Sequence, residues 1–165
     1  MKVAPLLLAS IAILLAGACG GSGEKSLTLE EYFQQVQPLV DELHTGEAPI
    51  LATLGASQDP QHLKEALADY PAVVDPYLSG LRNLQPPEEA AEAHADAVRA
   101  GEEFTSAIAT AIQDTQTATT ADDFFAAANS VQIAIASEGM SVTCGRLQQV
   151  ADDNEIDIDL DCPES

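Results

Sequence analysis

"TLEEYFQQVQPLVDEL", residues 28–43, sets the architecture. Thr28 followed three positions later by Glu31 has the form of a capping box, in which hydroxyl and carboxylate each satisfy an N–H that the first helical turn leaves unpaired. Leu29, Tyr32, Phe33, Val36, Leu39, Val40 and Leu43 then recur at three- and four-residue spacing, which gathers them on one face of a helix. The pattern predicts a first helix from residue 28, bent or interrupted near Pro38 and again near Pro49.

The same grammar repeats downstream. Asp59-Pro60 marks a second start, with aspartate as cap and proline in the first turn, where its missing N–H costs nothing. Leu63, Leu67, Tyr70, Val74, Tyr77, Leu81 and Leu84 line the face of that helix, and Pro71 and Pro76 predict kinks or a short break within it. Pro86-Pro87 ends the segment. Glu88, Glu89 and Glu92 open a third helix, where acids complement the positive end of the helix dipole. Its stripe is His94, Val98, Gly101, Phe104, Ile108 and Ile112. Thr120 caps a fourth helix that runs through Phe124, Phe125, Ala128, Val131 and Ile135 to Cys144, Leu147 and Val150, with Gly139 as a kink. Four amphipathic segments with short connections predict an all-α fold, an antiparallel four-helix bundle running up-down-up-down over residues 28–165.

The tail departs from this period. In "IDIDLDC", residues 156–162, Ile156, Ile158 and Leu160 alternate with Asp157, Asp159 and Asp161, the pattern of an extended strap with one face buried. Its acids also offer the hard oxygens that calcium prefers, so Asp153, Glu155, Asp157, Asp159 and Asp161 are candidate metal ligands. The segment lacks the glycine turn and the closing bidentate glutamate of an EF-hand loop.

Six Lys and Arg stand against 27 Asp and Glu, a formal charge of −21. Nucleic acid is an unsuitable partner, because such binding rests on basic side chains neutralising phosphates. Anionic headgroups are repelled as well, and the excess of acid suits a solvated exterior.

At the other end, Lys2 precedes an apolar run from Leu6 to Leu15 that closes in small residues, the three-part pattern of a secretory signal. The run is shorter than the roughly 20 apolar residues of a membrane span. Leu15-Ala16-Gly17-Ala18-Cys19 resembles the lipobox of bacterial lipoproteins, with Ala16 where that family usually has a branched aliphatic. The resemblance implies a signal peptide over residues 1–18, Cys19 lipidated on sulfur as the first mature residue, and residues 19–27 as a Gly/Ser tether reaching about 15 Å. The protein is then expected outside the cytoplasm, lipid-anchored to the outer face of the cytoplasmic membrane or to an outer membrane. Two or more acyl chains are needed for a firm anchor.

With Cys19 lipidated, Cys144 and Cys162 remain, and in an oxidising compartment they can pair. The short loop would add roughly 3 kcal/mol on the chain-entropy picture. A zinc or redox role for Cys144 would call for a second cysteine or histidine at close spacing, which the sequence lacks.

Catalytic signals are sparse. His94 lies on an apolar stripe, as a core histidine donating to a carbonyl would, and His44 and His62 stand in other helices. No helix carries a His-x-x-x-His or Glu-x-x-His pair, and there is no Gly-x-Ser-x-Gly elbow or phosphate-cradling glycine loop. The aromatics Tyr32, Phe33, Tyr70, Tyr77, Phe104, Phe124 and Phe125 sit at core spacing, with a ligand pocket as their alternative use. The run "LRNLQPPEEAAEAHADAVRAGEEF" (81–104) and "CGRLQQVADDNEIDIDLDC" (144–162) is similar to a loose group of uncharacterised bacterial helical lipoproteins, a resemblance that implies a helical fold and a Cys-to-Cys closure but no known activity. The expectation is a non-enzymatic envelope lipoprotein with a binding or structural role, needing no cofactor, its partners the membrane and an unidentified envelope protein. The alternative is a small-ligand or calcium binder.

Overall fold

The structure, a computed structural model, describes residues 27–162. Every regular element among them is helical: α1 (Leu29–Ala56), α2 (Pro60–Asn83), α3 (Ala91–Asp114), α4 (Ala121–Ala128) and α5 (Val131–Asp153), with single 3-10 turns at Glu88–Ala90 and Thr115–Thr117.

The helix starts follow from their caps. The Thr28 hydroxyl accepts from the Glu31 N–H at 3.2 Å while the Glu31 carboxylate accepts from the Thr28 N–H at 2.9 Å. Asp59 accepts from Gln61 at 2.8 Å with Pro60 behind it, and Thr120 accepts from Asp123 at 3.1 Å.

Two boundary expectations are corrected. The prolines interrupt neither α1 nor α2. Pro38, Pro49 and Pro76 are exposed and Pro71 is half-buried, so the rings keep off the buried stripe, whose packing holds the path of each helix. The fourth helix is two: Asn129 closes α4 with its N–H on the Phe125 carbonyl, and Ser130 opens α5 by accepting from Ile133 at 3.3 Å. Gly139 lies inside α5 without ending it, and a Cβ there would meet only Ala100, at 3.9 Å.

α1 packs on α2, α2 on α3, and α3 on α5. Tyr32, Phe33, Val36, Val40, Leu43 and Ile50 are the buried stripe of α1, and the small residues Ala93, Ala97, Ala100, Ala107 and Ala111 let the partners of α3 approach it closely. α1 and α2 are closer still: Gly46 faces the Val73 methyls and Gly80 faces the end of Leu39, both at distances no Cβ could share.

α1 and α5 do not pack closely on each other. The segment after α5 lies between them. α5 ends in a Schellman motif, the Ile156 N–H on the Ala151 carbonyl and the Glu155 N–H on that of Asp152, with Glu155 at φ 57°. From there the chain is extended without pairing as a strand. Leu160 is buried, Ile156 and Ile158 are half-buried, and Asp157, Asp159 and Asp161 face water, the alternation that the sequence predicts. The Gln148 side chain of α5 grips the segment as a neighbouring strand would, donating to the Ile158 carbonyl and accepting from the Leu160 N–H, both at 2.9 Å. On the far side Gln37 of α1 donates to the Asp159 carbonyl at 3.2 Å. A disulfide joins Cys162 to Cys144 of α5.

Of the six basic residues, Lys2 and Lys25 lie outside the described segment, and the other four all have protein partners, three of them on another element. Arg82 pairs with Glu102 across α2 and α3 at 2.7 Å, and Lys64 caps the carbonyl of Gln116 at 3.1 Å. Arg99 and Arg146 converge on Asp96, which is only 14% exposed, and so join α3 to α5.

Thermal melts of single variants check this packing. Gly145→Ala, with open space around it, is expected to raise stability by about 0.5–1 kcal/mol. Gly46→Ala, whose new methyl meets the stiff Val73, is expected to lower it by about 1–2 kcal/mol despite the same gain in helix propensity. Removing the Cys144–Cys162 bond in a double serine variant is expected to cost roughly 3 kcal/mol in denaturant unfolding.

Candidate functional site

The buried stripe of α1 runs 36, 40, 43, 47, 50, and every member is aliphatic except Glu47. An acid at such a position is turned inward by the same geometry that buries Val40 and Leu43. It faces a partly open cavity of about 180 Å³ that lies where α1 and α5 stand apart. α1 contributes Val40, Leu43, His44 and Glu47, α2 contributes Tyr70 and Tyr77, α3 contributes Phe104, and α5 contributes Ser137, Met140 and Cys144.

Within this cavity the Tyr70 hydroxyl and the Glu47 carboxylate are near enough to shift one another's ionisation. Partial burial pushes the Glu47 carboxyl above its ordinary value, against the opposing pull of the Tyr70 hydroxyl and of His44. Burial, and then the Glu47 charge, push the Tyr70 phenol far up, and the same two causes raise Tyr77 to about 12. Both phenols are therefore neutral hydroxyls throughout the physiological range. The Phe104 ring stands edge-on to Tyr70, centroids 5.8 Å apart. His44, about a third exposed, has its Nδ1 3.9 Å from an Asp161 oxygen, so the end of the strap meets the rim of the cavity.

The sequence-predicted residues divide as follows. Cys19, the expected lipidation site, lies outside the described residues, as do residues 1–18 and most of the tether. Cys144 and Cys162 are bonded, and Cys144 forms part of the cavity wall. Asp153, Glu155, Asp157, Asp159 and Asp161 are exposed and strung along the end of α5 and the strap. Same-side residues of extended chain stand roughly 7 Å apart, too far for one ion that needs oxygens at about 2.4 Å. Among the described residues no group of three or more His, Cys, Asp or Glu is placed to hold a metal ion.

His94 is buried, as its stripe predicts, but its partner is a side chain and not a carbonyl: Nδ1 lies 3.0 Å from the Tyr32 hydroxyl of α1. Burial lowers the His94 pKa and raises that of Tyr32, which keeps both neutral and suits a phenol donating to Nδ1. The aromatics take the core positions that their spacing predicts, and three of them also border the cavity. Tyr32, Phe33 and Phe124 are core alone, whereas Tyr70, Tyr77 and Phe104 are core residues whose remaining surface lines the cavity. Glu47 and His44 are the members that the stripe reading passed over. The signal for Glu47 is a charged residue at the one stripe position between Leu43 and Ile50.

Comparison with known protein families, with curated proteins and with solved structures finds no match to this chain. No helix among the described residues is long and apolar enough to cross a membrane. The cavity thus offers one carboxylate, two phenol hydroxyls, an imidazole at the rim and an aromatic and sulfur-rich wall.

A carboxyl whose pKa is raised by folding destabilises the fold once it ionises, so its cost is absent below the unfolded value of 4.5 and grows as pH rises toward the folded one. Glu47→Gln keeps a side chain of the same shape beside Tyr70 and removes that cost. The variant is expected to melt above the natural protein at pH 7 and to converge with it below about pH 4.5, as followed by circular dichroism.

Proposed function

We propose that the chain is a lipid-anchored lipoprotein of a bacterial envelope, with a signal peptide over residues 1–18, lipid on Cys19, and a helical domain that binds or scaffolds outside the cytoplasm. In this reading the long helices α1, α2, α3 and α5 run up-down-up-down and form the four-helix bundle, with α4 as a short turn of chain between α3 and α5. The observation that carries it is the Cys144–Cys162 bond, since disulfides persist where the surroundings are oxidising. That argument is independent of the leader sequence, and the two point the same way.

The cavity favours binding over a purely mechanical role. It is the place where side-chain chemistry faces an opening, and His94, the histidine best placed in the core, is shut away against Tyr32. A binding protein without catalysis fits these facts better than an enzyme, which needs a nucleophile, a base and an orienting group together. Small-ligand binding takes precedence over calcium, because the acids of the strap are spread along it. The acidic surface argues against nucleic acid, and the described basic residues already have protein partners. The partners are the membrane, through the lipid, and an envelope protein.

The address is tested by expressing the natural chain and Cys19→Ser in a bacterial host and recovering both from membrane and soluble fractions. The natural chain is expected in the membrane fraction with a diacylglyceryl mass on Cys19, and the variant is expected to be released. An unmodified Cys19, or a variant that stays with the membrane, would remove the anchor from this reading.

A further inference from the structure

We propose that the cavity bounded by α1, α2, α3 and α5 is a binding site for a small organic monocation, a primary amine or quaternary ammonium with an apolar body, held by Glu47 as its counter-ion. This deepens the binding reading above and is independent of the lipid anchor.

Size sets the first bound. A cavity of about 150 Å³ accommodates a benzene ring, so the present 180 Å³ suits a body of that order with a small polar head. Charge sets the second. Glu47 is the carboxylate of the lining, no lysine or arginine borders it, and the imidazole of His44 stands at the rim beside the Asp161 carboxylate, so an anionic ligand would meet an acid with little basic help. A neutral apolar ligand would seal the opening over that carboxylate and strip its water without replacing it, which is the costly way to bury a charge. A cation supplies the missing partner.

The remaining walls fit the same ligand. The rings of Tyr70, Tyr77 and Phe104 provide π faces, which attract ammonium groups and do so more strongly when water is excluded. The Tyr70 hydroxyl stands beside Glu47 and leaves acceptor capacity on the carboxylate oxygens. Met140 and the Cys144 sulfur add a polarizable, adaptable surface for the apolar body. A divalent metal is poorly served, since calcium wants six or more oxygens and the lining offers one carboxylate among aromatic and sulfur groups. The raised carboxyl pKa of Glu47 agrees with this arrangement: a bound cation would pull it back down, and binding would strengthen as pH rises through that range.

The test is isothermal titration of the full chain, held in non-ionic detergent, with benzylammonium, benzyl alcohol and benzoate as probes of one shape and three charges. Benzylammonium is expected to saturate one site per chain with a Kd of about 1 mM or tighter, and the alcohol and benzoate to bind at least about tenfold more weakly. Glu47→Gln is expected to weaken benzylammonium about tenfold or more while remaining folded by circular dichroism. Asp41→Asn, an exposed acid of the same helix, removes the same net charge and is expected to leave the affinity within about twofold. Absence of saturable benzylammonium binding, equal binding of the alcohol, or equal loss in both variants overturns the site. Each of those outcomes leaves the Cys19→Ser fractionation result standing, so a failed ligand and a failed anchor are told apart.

Discussion

The extended segment from Glu155 to Cys162 is the piece on which the closure of this fold depends. α1 carries a long buried stripe and needs cover on the side away from α2, and α5 does not reach it. The strap fills that interval with Leu160 and the inner edges of Ile156 and Ile158, held by the amide of Gln148 on one side and of Gln37 on the other. A single extended chain carries unpaired backbone groups along both edges, and side-chain amides at these two points answer them. The disulfide ends the strap at a defined place on α5. Its start is equally defined, since the Schellman turn requires a left-handed residue and Glu155 takes that conformation where glycine would do so more cheaply.

The cavity is the remainder of the same interval. Beyond Cys162, the last described residue, the gap between α1 and α5 continues toward Glu47, Ser137 and Met140, and no described side chain fills it. An aliphatic residue at 47 and a larger one at 137 would close the space with the hydrophobic packing used everywhere else along α1. Natural sequences depart from such local consistency chiefly at sites with a use beyond stability. A half-buried acid beside a phenol is a departure of that kind, and it coincides with an opening to which four helices contribute aromatic, sulfur and hydroxyl groups.

Much of the fold is legible in short sequence signals that act locally. Thr28 with Glu31, Asp59 with Pro60, and Thr120 each place a helix start correctly because a cap is a contact between residues two or three apart. The period-two tail reads as extended for a similarly local reason. The prolines end neither helix, because the packing of the stripe on both sides outweighs the local loss of a hydrogen bond, and that packing is a property of the assembled helix face. The Asn129-Ser130 break escapes notice because the apolar stripe continues on both sides of it, although a helix-closing residue beside a helix-opening one is itself a boundary signal. The site is the least legible part. Glu47 is visible as an acid on an apolar stripe, but its place beside Tyr70 and the gap it faces arise only once α1, α2 and α5 take their positions.

The use made of the basic residues has an effect that reaches beyond the protein's own atoms. Lys64, Arg82, Arg99 and Arg146 each have a protein partner, Arg99 within α3 and the other three on another element, so they do little to break up the acidic exterior of a chain whose formal charge is −21. Such a surface gathers an atmosphere of mobile counter-ions within about 8 Å at physiological ionic strength. The composition of that atmosphere follows the surrounding medium, and its density sets how strongly the helices repel one another and how closely two copies approach. The ions of the medium are in this sense a working part of the fold, supplied from outside in place of the lysines and arginines that the sequence omits.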